Sequence, residues 1–196
     1  MTSLLALDEQ LFHIINGDWQ NPFLDAVMPL WRDKKTWIPL YILLAGFVFY
    51  KFKIKGLYLI LSLVLTVGVA DTVSSQFIKK TVKRVRPCND GTLPFDVHVP
   101  IACGSGYSFT SSHATNHFAI ATFLSMTLGL FYRKIRWPFF IWAATIAFGQ
   151  VYVGAHYPLD VICGALLGSL IAFVMAKLYL NWNRIRIVNQ QNTNIA

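Results

Sequence analysis

Three separated stretches carry residues able to do chemistry on an anion. Lys79 to Pro87 reads KKTVKRVRP, Thr110 to His113 reads TSSH, and Gly149 to Asp160 reads GQVYVGAHYPLD. Lys79 and Arg86 are seven residues apart, about two turns if a helix continues that far, so both would project from one face. Arg offers a planar fork to phosphate oxygens and Lys a point charge. Pro87 is expected to stop that helix. Thr110 or Ser111 reads as the N-cap of a following helix, whose free N–H groups and positive dipole end suit an anion. His113 at that helix start can hand a proton to a leaving oxygen. His156 and Asp160 are four apart. A carboxylate accepting from one imidazole nitrogen leaves the other free to attack phosphorus. Two cations, a hydroxyl, two imidazoles and a carboxylate are the set that phosphoryl transfer through a histidine needs.

Each stretch also has a plainer reading. The first, with Lys80, Lys83 and Arg84, could be a basic cluster drawn to lipid head groups. The second could be a simple cap beside an interfacial His, and the third a polar pair where a helix begins. Asp71 lies in an apolar block, where a carboxylate is a functional candidate by default; a polar contact within a helix bundle is equally open. Asn116 and His117 read as bundle-facing and not catalytic, and His13 and His98 have no evident partners. No Cys-x-x-Cys pair or His/Cys cluster at zinc spacing occurs, so neither a metal nor another cofactor is expected.

Apolar helices must bring these stretches together. The chain has 196 residues, 55% hydrophobic and only 13% charged, with mean hydropathy +0.49. A soluble domain carries about 25% charged residues. Five blocks, 36–50, 56–78, 114–132, 137–155 and 158–176, approach or reach the roughly 20 apolar residues that cross a bilayer. The first is short and needs Lys34 and Lys35 to snorkel. Residues 3–15 place Leu4, Leu7, Leu11, Ile14 and Ile15 at helical spacing with Asp8 and Glu9 opposite, the pattern of a short interfacial amphipathic helix. Phe23 to Trp31, interrupted by Asp25, is too short to span easily and reads as interfacial or partly inserted. No signal peptide is expected, because residues 1–20 lack a basic start followed by an apolar run. The expected fold is all-α: a polytopic transmembrane helix bundle of five to six membrane helices with an N-terminal interfacial helix. It forms one domain over 1–196, with a core at 36–176 and a cytoplasmic tail at 177–196.

Alternate loops hold Lys51, Lys53 and Lys55; Arg133, Lys134 and Arg136; then Lys177, Arg184 and Arg186, with no Asp or Glu among them. The preference of Lys and Arg for the cytoplasmic side places all three there. Residues 1–35, loop 79–113 and the turn near 156 then share the opposite face, which brings all three stretches to one side. Charge bias and motif position agree independently. The pI near 9.5 follows from this topology, so no nucleic-acid partner is expected. Cys88 and Cys103 lie in a compartment that permits a disulfide; a bond and two free thiols are equally open. Cys163 reads as packing.

The three stretches resemble the type-2 phosphatidic acid phosphatase superfamily, membrane lipid phosphatases that share a catalytic core with vanadium haloperoxidases. The family pattern is Lys, six residues, Arg-Pro; then Pro-Ser-Gly-His; then Ser-Arg, five residues, His, three residues, Asp. Lys79 to Arg86-Pro87 matches fully. Thr110-Ser111-Ser112-His113 keeps the Ser and His, and loses the Pro and Gly. His156 and Asp160 keep their spacing, but Gly149-Gln150 replaces Ser-Arg. The resemblance spans residues 36–176 and implies His156 as nucleophile, Asp160 as its orienter and His113 as proton donor. It implies that Lys79, Arg86, Ser111, Ser112 and Gln150 hold the phosphate, with no metal. The implied enzyme sits in the inner membrane of a bacterium, its site facing the periplasm. It would hydrolyse a lipid phosphate or diphosphate such as phosphatidic acid, phosphatidylglycerophosphate, undecaprenyl diphosphate or a lipid A phosphate. Gln150 carries no charge where the pattern has Arg; Arg84 and Lys83 are candidates to compensate. The alternative is a catalytically weakened membrane protein that binds anionic lipid head groups.

Overall fold

The structure is a computed structural model that describes residues 2–193, with side chains for 4–183. Its helices are α1 (Thr2–His13), α2 (Pro22–Trp31), α3 (Ile38–Thr72), α4 (Lys79–Val82), α5 (Ser112–Thr127), α6 (Arg136–Tyr152) and α7 (Pro158–Thr193). Short 3₁₀ and π-helical turns join them, and no strand occurs among the described residues.

Helix α3 is two helical arms that meet at a kink. Lys53, at φ 52° and ψ −129°, breaks the helical backbone. Tyr41 and Asp71 line one groove, although a straight helix would hold them roughly 45 Å apart. The chain therefore reverses at Lys53, and the arms 38–52 and 54–72 occupy the first two apolar blocks separately. Helices α5, α6 and α7 occupy the other three. Helix α7 continues past residue 176 to Thr193, so the described part of 177–196 is helical. The side chains of Arg184 and Arg186 lie outside the described residues.

Helix α5 is the axis of the bundle. Its sequence is rich in Ala, Ser and Thr, and Ala114, Thr115, Ala119, Ala121 and Thr122 are all buried. Small residues let helix backbones approach without a hydrophobic driving force. A Cβ on Gly168 of α7 would overlap Thr115 O, so glycine there permits the α5–α7 contact. Phe123, Leu124 and Leu128 pack with Val48, Leu59 and Ala172 to form the main core. The outward faces are the reverse of a soluble protein's: Leu43, Leu61, Ile141, Leu166 and Leu170 are all exposed. Such extended apolar surface marks a lipid-facing wall. Among the described residues, the stretches Lys34–Asn89, which includes the reversal at Lys53, and Pro158–Asn183 hold helix long and apolar enough to cross a bilayer.

The N-terminal segment closes one end. Leu4, Leu5, Leu7 and Leu11 of α1 are exposed, whereas Asp8 and Phe12 are buried against the bundle. The acidic face thus turns into the protein and the leucines turn out. Helix α2 begins with Asn21, whose side chain accepts from Leu24 N at 3.0 Å, and with Pro22 at the first helical position. Its ten residues are about 15 Å long, half the hydrocarbon thickness. The two segments are tied to the bundle by buried polar groups. Asn16 Nδ2 donates to His98 O and Tyr152 O, both at 2.7 Å. Asp25 Oδ1 accepts from Tyr152 Oη at 2.7 Å and lies 2.7 Å from His98 Nε2. His98 and the interrupting Asp25 are therefore partners, a pairing that no local spacing announces.

Candidate active site

Helix geometry gathers the three stretches at this closed end. The arm 54–72 arrives there through a π-helical turn, Val73–Ile78, α5 and α7 start there, and α6 ends there. A cavity of about 460 Å³ is lined by Lys79, Arg86, Ser112, His113, Gln150 and His156 together with Arg32. Six of the eight expected site residues thus share one space. Asp160 stands behind His156, and Ser111 is fully buried.

The helix expected to run from Lys79 to Pro87 ends early. Lys83 adopts the left-handed conformation (φ 53°, ψ 33°) and terminates α4 after Val82. Residues 84–86 carry no regular structure, and Arg86 is extended. Lys79 and Arg86 meet across this turn and not along one helix face. One loop buttresses both from behind. Lys79 Nζ donates to Tyr107 O at 2.9 Å, and Arg86 Nε donates to Gly106 O at 3.2 Å. Cys88 and Cys103 form a disulfide just ahead of these carbonyls; closing a loop of about 15 residues gains roughly 3 kcal/mol from restriction of the unfolded chain.

Ser111 is the N-cap of α5: its hydroxyl accepts from Ala114 N at 3.4 Å. That use, with its burial, removes the hydroxyl from the cavity wall. Ser112 and His113 instead sit at the open first turn, where N–H groups and the dipole end face the cavity. The Ser112 hydroxyl lies 3.0 Å from Ser74 Oγ in the π-helical turn. His117 sits one turn on, its Nδ1 2.7 Å from His113 O and its Nε2 3.2 Å from Tyr41 Oη. Asp71 accepts from Asn116 Nδ2 at 2.8 Å, the bundle contact left open above.

His156 Nε2 lies 3.3 Å from Arg86 Nη1. A guanidinium can only donate, so Nε2 is the lone-pair nitrogen and the proton sits on Nδ1. Nδ1 faces Asp160 Oδ2 at 3.6 Å, beyond hydrogen-bond reach, so the carboxylate acts on the ring through charge. Such contacts tighten when substrate binds. Asp160 is itself fixed: it accepts from Tyr157 N at 2.9 Å and from Arg84 Nη1 at 2.8 Å. Arg84 Nη2 donates in turn to Asp8 Oδ2 at 2.7 Å, and the guanidinium lies 3.8 Å over the Tyr157 ring. Arg84 is thus committed to two carboxylates and is not a spare cation for phosphate. Neither it nor Lys83 lines the cavity.

Burial pushes the His156 imidazole down to about 4; Asp160 opposes this, and Lys79 and Arg86 reinforce it. Burial likewise lowers His113 to about 3, aided by the charge of Arg32. Both rings are neutral at neutral pH. Below the ordinary value of about 6.5 the unfolded chain binds protons that the folded chain refuses. Stability is therefore unaffected above pH 6.5 and falls below it. The expected loss at pH 5.5 is on the order of 1 kcal/mol per histidine, read as a falling unfolding temperature in detergent. The combination of His113→Gln with His156→Gln should flatten that slope. A temperature constant from pH 7 to 5 in the wild type would contradict the assignment.

No group of three or more His, Cys, Asp or Glu able to hold a metal occurs among the described residues. Sequence reasoning missed Arg32, which no motif contains, and the Asp8–Arg84–Asp160 chain, whose members are 76 residues apart at each link.

Comparison with known proteins accords with this geometry. Residues 55–184 match the PAP2 superfamily. A lipid A 4'-phosphatase of Bacteroides thetaiotaomicron is 32% identical over 170 residues, covering 85% of this chain and 74% of the relative. One of Porphyromonas gingivalis is 30% identical over 184 residues, covering 92% and 76%. The crystal structure of Aquifex aeolicus LpxE superposes with a TM-score of 0.68 at 27% identity, covering 86% of this chain and 93% of that one. The chain belongs to the PAP2 superfamily of membrane lipid phosphatases.

Proposed function

We propose that this protein is an integral membrane phosphatase that hydrolyses a lipid phosphate through a phosphohistidine on His156. One observation carries the reading: the cationic cavity adjoins an apolar groove at Ser112 and His113. That groove, about 470 Å³, runs between the two arms of α3 and α5 and is walled by Leu44, Val48, Leu63 and Ile120. A molecule with a phosphate head and hydrocarbon tails fits this pair of spaces, and a soluble phosphate ester would leave the groove unfilled. Polar heads and apolar walls of this kind are how small-molecule sites set orientation.

In this reading His156 Nε2 attacks phosphorus and the bond to the leaving oxygen breaks. His113 gives that oxygen a proton; the phosphate's negative charge offsets the burial that otherwise keeps His113 neutral. His113 then takes a proton from water, whose oxygen attacks phosphorus. The N–P bond breaks, inorganic phosphate leaves, and His156 returns neutral. Asp160 orients the ring and balances its charge during transfer. Lys79, Arg86, Gln150 and the first-turn amides at Ser112 hold the non-bridging oxygens, while Ser111 keeps that turn in place as its cap. Donors set in advance against developing charge are typically the largest single catalytic contribution.

Five arms would cross the membrane as one domain. Lys51, Lys53, Lys55, Arg133, Lys134 and Arg136 lie at the end opposite the cavity, so the positive-inside preference faces the site to the exterior or periplasm of an inner membrane. The two lipid A 4'-phosphatase relatives favour a lipid A phosphate among the candidate substrates.

The test is phosphate release by the purified protein in detergent with chelator present. The panel is a 4'-phosphorylated lipid A, phosphatidic acid, phosphatidylglycerophosphate and undecaprenyl diphosphate. Chelator-resistant release, fastest from lipid A, is expected. No release from any of them, or release that chelator stops, would overturn the mechanism.

A further inference from the structure

Three cationic side chains, Lys79, Arg86 and Arg32, line the phosphate cavity, and no Asp or Glu lines it. Arg32 comes from outside the three motif stretches. It follows the last turn of α2, and a close packing contact sets it there. A Cβ on Gly149 would come within 3.3 Å of Arg32 Cβ and 3.8 Å of Met28 O. Glycine at 149 therefore lets the end of α2 lie on the last turns of α6. Next to it, Gln150 Nε2 points at Arg32 O at 3.5 Å. Gln150 is wholly buried.

Among the described residues, no hydrogen bond or ion pair engages the Arg32 guanidinium. Its Nε is buried without a hydrogen-bond partner, as is Gln150 Oε1. The adjacent carboxylate, Asp33, accepts from Lys35 N at 2.9 Å and acts on Arg32 through charge, without forming an ion pair with it. Burial and the nearby charge of Arg86 both act on Arg32. A buried guanidinium donor with no acceptor is costly to a fold. An anion that accepts from it removes that cost.

We infer that Arg32 is the third cation of the phosphate site, supplying from α2 the guanidinium charge that Gln150 lacks. Lys79, Arg86 and Arg32 then share the non-bridging oxygens of the lipid-linked phosphate, with Arg32 on the Gln150 side. This rests on the phosphatase reading above. It also makes Gly149 and Gln150 a matched pair with Arg32: the glycine admits the helix that brings the charge, and the uncharged Gln avoids crowding two guanidiniums.

The experiment compares wild type, Arg32→Gln, Arg32→Lys, and Arg32→Gln combined with Gln150→Arg. Turnover is read as kcat and KM, binding as the inhibition constant of inorganic phosphate and its direct calorimetric affinity, and folding as the unfolding temperature in detergent. Removing one set donor typically lowers kcat by about 10²–10³-fold, and Arg32→Gln is expected to do so while weakening phosphate about tenfold and leaving the unfolding temperature in place. Arg32→Lys should retain part of the rate, because charge remains and the fork is lost. Gln150→Arg should restore part of the rate in the Arg32→Gln protein. Rates within about threefold of wild type in Arg32→Gln, or a rate loss with unchanged phosphate affinity and no rescue, would overturn the inference. A wild type without turnover would remove the phosphatase reading, and the calorimetric comparison would still decide whether Arg32 binds phosphate.

Discussion

Phosphate release is expected to fall by at least about 10⁴-fold in His156→Ala, with the protein still folded. The size follows from the role: Nε2 is the only lone pair of the His156–Asp160 pair that faces the cavity, and without it the two-step route is closed. Binding should survive, since Lys79 and Arg86 stay on their carbonyls at 105–108. The expected signature is a collapse of kcat with inorganic phosphate still bound at close to its wild-type affinity. Acid-labile phosphate trapped on the wild-type protein after a rapid quench, and missing from His156→Ala, would place the covalent bond on that ring. Turnover undiminished in the mutant would remove His156 as nucleophile. Full loss of phosphate binding would show that the ring had been holding the pocket open.

Arg84→Ala is expected to destabilise the protein by about 3–5 kcal/mol, because it strands two buried carboxylates at once. Asp8 is 4% exposed and Asp160 not at all, and Arg84 is the cation between them. The loss should appear as a large drop in unfolding temperature and in yield from detergent. Adding Asp8→Asn to Arg84→Ala should recover part of it, since one stranded charge is then gone. Such non-additivity is what coupling through a shared partner predicts. An Arg84→Ala protein within about 1 kcal/mol of wild type would show that water reaches both carboxylates, and would end the view of Arg84 as a structural cation.

The same residue shows how sequence and structure divided the information. Arg84 stands in a basic run beside Lys79 and Arg86, and the run alone suggests a reserve of phosphate charge. What removes it from that role is Asp8, a residue whose own setting, the polar side of a small amphipathic helix, suggests nothing but solvent. Likewise the spacing of Lys79 and Arg86 suggests one helix face. The left-handed turn at Lys83 places the two cations together by another path, and Arg86 comes to face His156. Ser111 is the reverse case. Its identity predicts a cap, and the cap it makes keeps the hydroxyl off the cavity wall.

The sequence by itself determined the helical blocks, the gathering of three motifs on one face, and His113, His156 and Asp160 as the residues proposed to carry the chemistry. These are matters of apolar length, loop charge and short spacing, and all are local along the chain. Tertiary structure alone decided which cations are free. Arg32 and Gln150 are 118 positions apart, and Asp8 and Arg84 are 76 apart. Periodicity carries no trace of such pairs, because they depend on how α1 and α2 pack against helices formed far later in the chain. Only the packed fold pairs Arg84 with two acids and leaves the Nε of Arg32 without an acceptor.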